Sequence, residues 1–316
     1  MAAFYNCCQA FNLGLAMFDD KARSKAFQKC EKQVAKWLAD EKASPYFVEI
    51  PKQSRHALTA NQVLSLDLNL AIYANFMCGV SANQLLVEKD YDQGMESLCQ
   101  SYSYYILAHR FLLINEKKRG ALFRGYAGRA NGLIGILALA LFFDDRPSVE
   151  MLVDYINGMA ASGELESELI DMPYAEFMKG LTRLYLKKEF SVGDLPDTVH
   201  SQIFKTWESK IHKENIEEIL DQHLMEAIHK KGYEKQHTAN FPDIYYVPAF
   251  DQKYVMLMPL EVMALYGTFD ALELSVPNDI DHPIFPTGFW DKIKTRDSQA
   301  CSDEFTIATE AYLASI

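Results

Sequence analysis

Among the residues of this chain suited to hold a metal or move a proton, its eight histidines come first. The tightest local grouping is Glu226 with His229 three residues later, and His223 nearby on the same helical run. A carboxylate-bridged metal pair in a helix bundle needs two such Glu-x-x-His motifs on facing helices, together with further glutamates. The second motif does not occur. His223 and His229 stand six residues apart, so a helix points them to different faces and they cannot chelate as an i, i+4 pair would. The expectation here is a polar helix surface with no metal. Glu208 and His212 do share a face, at a spacing that equally serves an ordinary side-chain pair. Nucleophile elbows, His-Glu-x-x-His helices, phosphate loops and deaminase signatures do not occur. A triad assembled in space needs no sequence adjacency, and no residues stand out to nominate one. The chain is read as a non-enzyme without a cofactor.

The six cysteines, Cys7, Cys8, Cys30, Cys78, Cys99 and Cys301, form no C-x-x-C pair. Cys78 and Cys99 fall within apolar helical runs and are expected as buried free thiols. Gly125, Gly128, Gly132 and Gly135 recur at spacings of three, four and three, along one face of a helix. Each glycine costs a helix about 1 kcal/mol relative to alanine. Close backbone approach by a neighbouring helix is the expected compensation.

The elements that must position these residues are helices throughout. Ala26, Cys30, Val34, Trp37 and Leu38 make an amphipathic stripe. Residues 60 to 88 and 92 to 115 read as an α-hairpin whose second arm carries a tyrosine-rich core face, including Tyr102 and Tyr105. Further helices are expected near 120–143, from Pro147 to Ala161, from Pro173 to Glu189, at 198–212, at 214–232, from Met256 to Tyr266 and at 302–314. Aromatic and proline-rich segments, Thr238 to Tyr254 and Pro277 to Trp290, interrupt the series. The fold class is therefore all-α: irregular antiparallel helical hairpins forming one domain over 1–316. Its main body is 56–316, and 1–55 is a possible N-terminal extension.

With 316 residues, 49% of them hydrophobic and 23% charged, the chain can bury a core without staples. The opening residues lack the pattern of a secretory signal. The apolar stretch Gly132 to Phe143 is short of the roughly 20 residues that span a bilayer. A cytoplasmic location without membrane contact is expected. The net charge of −12 would repel a phosphate backbone and attract a basic partner. Acid is concentrated at Asp144, Asp145, Glu150, Asp154, Glu164, Glu166, Glu168, Asp171 and Glu176, against only Arg146. This is either a solvated face or a partner-binding surface. Tyr245, Tyr246, Phe289 and Trp290 are candidate anchors for such a partner, or loop residues packed on the core.

Leu224, Ala227, His229, Lys230, Lys231 and Tyr233 are followed by an aromatic segment, then by the run Leu257 to Leu265, then by His282 to Pro286. This order resembles the all-helical immunity protein family numbered forty-nine of bacterial polymorphic-toxin systems. Ala127 to Arg129 and Leu139 to Asp145 are compatible with that family's middle region. The resemblance spans about 60 to 310 and leaves 1–55 outside it. It implies a protein that binds and neutralises a cognate toxin, often one delivered between bacteria by a contact-dependent system such as type VI secretion, and it brings no catalytic residues. An acidic surface would suit a basic toxin. The alternative is a helical scaffold or regulatory module with another protein partner.

Overall fold

The computed structural model describes residues 19–45, 47, 60–120, 130–161, 173–187, 199–207, 210–240, 252–294 and 302–314. Among them are eleven α-helices: α1 (Asp20–Lys42), α2 (Ala60–Asn83), α3 (Tyr91–Arg119), α4 (Ala130–Phe142), α5 (Arg146–Ala161), α6 (Pro173–Tyr185), α7 (Val199–Thr206), α8 (Lys213–Asn240), α9 (Leu260–Ala271), α10 (Phe289–Ile293) and α11 (Glu304–Ala314). No strand occurs among the described residues, and the fold is all-α.

The α2–α3 hairpin is the frame. Its first arm ends in a π-helical turn, Gln84–Glu88, closed by Lys89 in the left-handed conformation. The extra turn swings Leu85 over the start of α3, where a Cβ on Gly94 would lie 2.5 Å from the Leu85 side chain. Ser81 and Ser97 fasten the same corner through Gly94 O and the Gln84 side chain. Within this arm, Asn69–Glu88 is long and apolar enough to cross a membrane by length and composition. Leu70, Ala74, Cys78, Ala82 and Leu85 are buried, as in the core helix of a folded domain.

On α3 the tyrosines do more than fill space. Tyr102 donates to Asp145, which caps α5 by accepting from the Ser148 N–H and hydroxyl. Tyr104 donates to Asp303, whose other oxygen accepts from the Thr306 N–H at the start of α11. One helix thus holds the N-caps of two later ones, offsetting the buried phenols' desolvation with charge-assisted hydrogen bonds.

At the centre lies α9, buried on every face from Leu260 to Phe269. It packs against α4, α6 and α8. Gly267 permits a close approach of backbone to backbone: a Cβ there would sit 2.6 Å from Phe142 Cα and 2.7 Å from Leu141 O. The glycine expectation is corrected here. Gly132 has nothing within 4 Å of an added Cβ and Gly135 meets only a Leu260 methyl at 3.7 Å, so the close approach falls on α9. Gly125 and Gly128 lie outside the described residues.

The helix at the N-terminus is part of this core. Ala26, Cys30 and Val34 are buried, Trp37 packs near Phe76 and Tyr254, and Lys29 donates to Ile228 O on α8. Residues 1–18 lie outside the described residues.

Candidate functional site

Two places gather the candidate residues, one at the surface and one in the core. At the surface, α4 ends in a left-handed residue, Asp144 at φ 53°, with the Asp145 N–H returning to Ala140 O at 3.0 Å. This is the Schellman arrangement with aspartate where glycine is usual. Asp144 is exposed, and its carboxylate accepts from Tyr185 at 2.7 Å. On α5, Val149, Leu152, Tyr155 and Met159 face inward, so Glu150 and Asp154 share the solvent face one turn apart. Arg146 bonds Glu150 at 3.0 Å. Glu176 opens α6 beside Lys179.

Asp144, Glu150 and Asp154 therefore form an exposed acidic edge. Asp145 is different: its oxygens face Tyr102 and Ser148, so it holds the fold. Glu164, Glu166, Glu168, Asp171, Tyr245 and Tyr246 lie outside the described residues. Phe289 and Trp290 are 1% and 5% exposed, packed with Phe285, Tyr266 and Phe142. Of the two readings of these residues, partner anchors or residues packed on the core, the second is the one found.

In the core, α8 carries a polar cluster that the sequence reading placed on a surface. Asp221 is 7%, His223 0% and Glu226 8% exposed. Ile216, Ile219, Leu220, Leu224 and Ala227 define the buried stripe, and His223 falls on it at helical spacing. That stripe was the available signal. Asp221 accepts from Arg23 Nε and Nη2, each at 2.8 Å, and from His282 Nε2 at 3.2 Å, joining α1, α8 and the loop before α10. Burial pushes the Asp221 carboxyl up, but the hydrogen bonds from His282 and Arg23 outweigh it and hold it below the usual range. His282 Nδ1 faces the Ile284 N–H at 3.4 Å and so acts as acceptor, which leaves the proton on Nε2.

His223 reaches α9 and the turn before it. Nδ1 lies 2.8 Å from Glu261 Oε1, and Nε2 lies 3.1 Å from Val255 O and 3.3 Å from Met256 O. Burial disfavours the imidazolium, yet Glu261, Glu226 and the Val255 carbonyl together raise its pKa above the ordinary histidine value. His200 on α7 is buried against Phe177 without a hydrogen-bond partner, and burial pulls it down to about 3. Among the described residues no group of three or more histidines, cysteines, aspartates or glutamates is placed to hold a metal ion.

A small cleft of about 20 Å³ lies beside this cluster, lined among others by Gly132, Gly135, Tyr174, Tyr254 and Val255. It has room for about one water molecule.

No family model, curated protein or solved structure matches this chain.

Three C-terminal segments meet in space. Leu224 and Ala227, the apolar residues between Leu257 and Leu265, and Ile284 and Phe285 are buried in one apolar cluster, with Glu261 and His282 buried beside them. The polar pairs Asp221–His282 and His223–Glu261 tie α8 to the other two segments. Leu224, Ala227, Ile284 and Phe285 thus belong to the core; the exposed residues of the acidic edge come from elsewhere in the chain.

Proposed function

We propose that this protein is an immunity protein: it acts in the cytoplasm by binding a basic toxin domain directly, and so neutralises it. The observation that carries the reading is the edge made by Asp144, Glu150 and Asp154, exposed on a backbone fixed by the α4 cap and the Tyr102–Asp145 bond. A rigid acidic edge on a chain of net charge −12 accelerates encounter with a basic surface and orients it. The helical backbone beneath this edge needs no ordering on binding, which lowers the entropic cost of association. The order of the C-terminal motifs, similar to that of the immunity family, points the same way.

The test is co-expression with the toxin encoded beside the gene. Cells are expected to survive only when this protein is present. Purified Glu150→Lys/Asp154→Lys protein should associate with that toxin about tenfold more slowly at low salt, the difference shrinking as salt rises. Death of the co-expressing cells would end the immunity reading. Unchanged association of the variant at low salt would remove this edge from it.

A further inference from the structure

We infer that His223 and Glu261 share one buried proton, and that this proton latches the turn 252–258 onto α8, so that docking of the turn is set by pH. The argument is a count of hydrogens. Among the described residues, Glu261 Oε1 accepts at one ring nitrogen and the carbonyls of Val255 and Met256 at the other. With a proton shared by the pair, every contact has a hydrogen in it, whether the pair is imidazolium and carboxylate or neutral imidazole and carboxylic acid. Without it, a neutral imidazole brings one N–H to two sides that both need one. Either Nδ1 then faces the carboxylate, or Nε2 faces the carbonyls, lone pair to lone pair. Both side chains are fully buried, so bulk water does not screen that opposition.

The surroundings agree from each packed element. On α8 itself Glu226 favours the proton, and on α9 Glu261 does so by charge and hydrogen bond. His200 on α7 opposes a second positive charge but is itself neutral, and Tyr174 on α6 faces Glu261. His282 is occupied by Asp221, and Lys253 in the turn bonds Gln33 on α1. The turn matters because it carries Tyr254 and Val255, two walls of the cleft, and because Trp37 of α1 packs near Tyr254. Losing the latch loosens both.

Because His223 holds its proton above the ordinary histidine value, the latch is closed below about pH 6.5 and opens as pH rises through the folded-state value. Hydrogen exchange of the whole chain from pH 6 to pH 10, corrected for the intrinsic rate, reads this directly. Protection of the Val255–Met258 peptide is expected to fall at least about tenfold while α2–α3 hairpin peptides keep theirs. In Glu261→Gln the carboxamide supplies its own N–H to Nδ1, so the step should vanish with the turn still docked. Flat wild-type protection across this range, or a step that survives in Glu261→Gln, overturns the inference.

Discussion

At the scale of single residues, the core is unusual in holding histidines for opposite purposes. His223 sits among acceptors, whereas His200 sits against Phe177 with no partner for either nitrogen. His200 therefore stays neutral in the folded chain down to about pH 3, while in the unfolded chain it takes up a proton near pH 6.5. The unfolded state binds more protons between those values, so stability falls as pH falls. Between pH 7 and pH 5 the loss is about 2 kcal/mol from this one group, and His109, pulled down to about 4 by burial, adds to it. His200→Leu removes the uncompensated imidazole at similar volume. Its urea midpoint at pH 7 is expected to match or exceed the wild type, and its midpoint should drop less on going to pH 5. An equal drop in both proteins would show that His200 is solvated in the folded state. The helical stripe from Ile216 to Ala227 marks His223 as inward-facing, so its burial was legible. Its partner was not: Glu261 lies 38 residues away, and local spacing carries no information about which turn a buried imidazole meets.

At the scale of elements, periodicity located nearly every helix because each buries at least one face against a neighbouring helix. The α2–α3 hairpin, the Pro147 and Pro173 helix starts, and the tyrosine face of α3 all follow from that rule. The five-residue α10 escaped it, being shorter than two turns and set in a proline-rich segment. Glycine was misread for a related reason. A run of glycines on α4 drew attention, but closeness depends on the partner helix, and the isolated Gly267 makes the contact. The two cases predict opposite outcomes. Gly267→Ala drives a methyl into the Phe142 and Leu141 backbone, which cannot yield as a side-chain tip would. The expected cost is about 3 kcal/mol, with α4 and α9 forced apart. Gly132→Ala enters open space in the first turns of a helix and should gain up to about 1 kcal/mol. Thermal melts of the two variants decide it: a neutral Gly267→Ala would mean that the α4–α9 crossing is looser than the geometry here.

At the scale of the whole molecule, the buried residues from Ala26 on α1 to Leu313 on α11 belong to one apolar cluster. Composition foretold a core of this size, yet it left α1 looking like an extension. An amphipathic stripe states that a helix is covered without stating by what. Two thiols turn that difference into a measurement. Cys30 on α1 and Cys78 on α2 are buried free cysteines, each pushed up to about 12 by burial, so both are inert to alkylation until the chain opens. If α1 is integral, its departure uncovers Gly79, against which Trp37 lies, and the apolar face of α2 around it. Exposing that face in water is costly enough to couple the two events. Iodoacetamide labelling along a urea series, read by peptide mass spectrometry, should then modify Cys30 and Cys78 at the same midpoint. Labelling of Cys30 at clearly lower urea would make α1 a separate unit. The Arg23–Asp221 and Lys29–Ile228 links would then be surface attachments to an independently folded body.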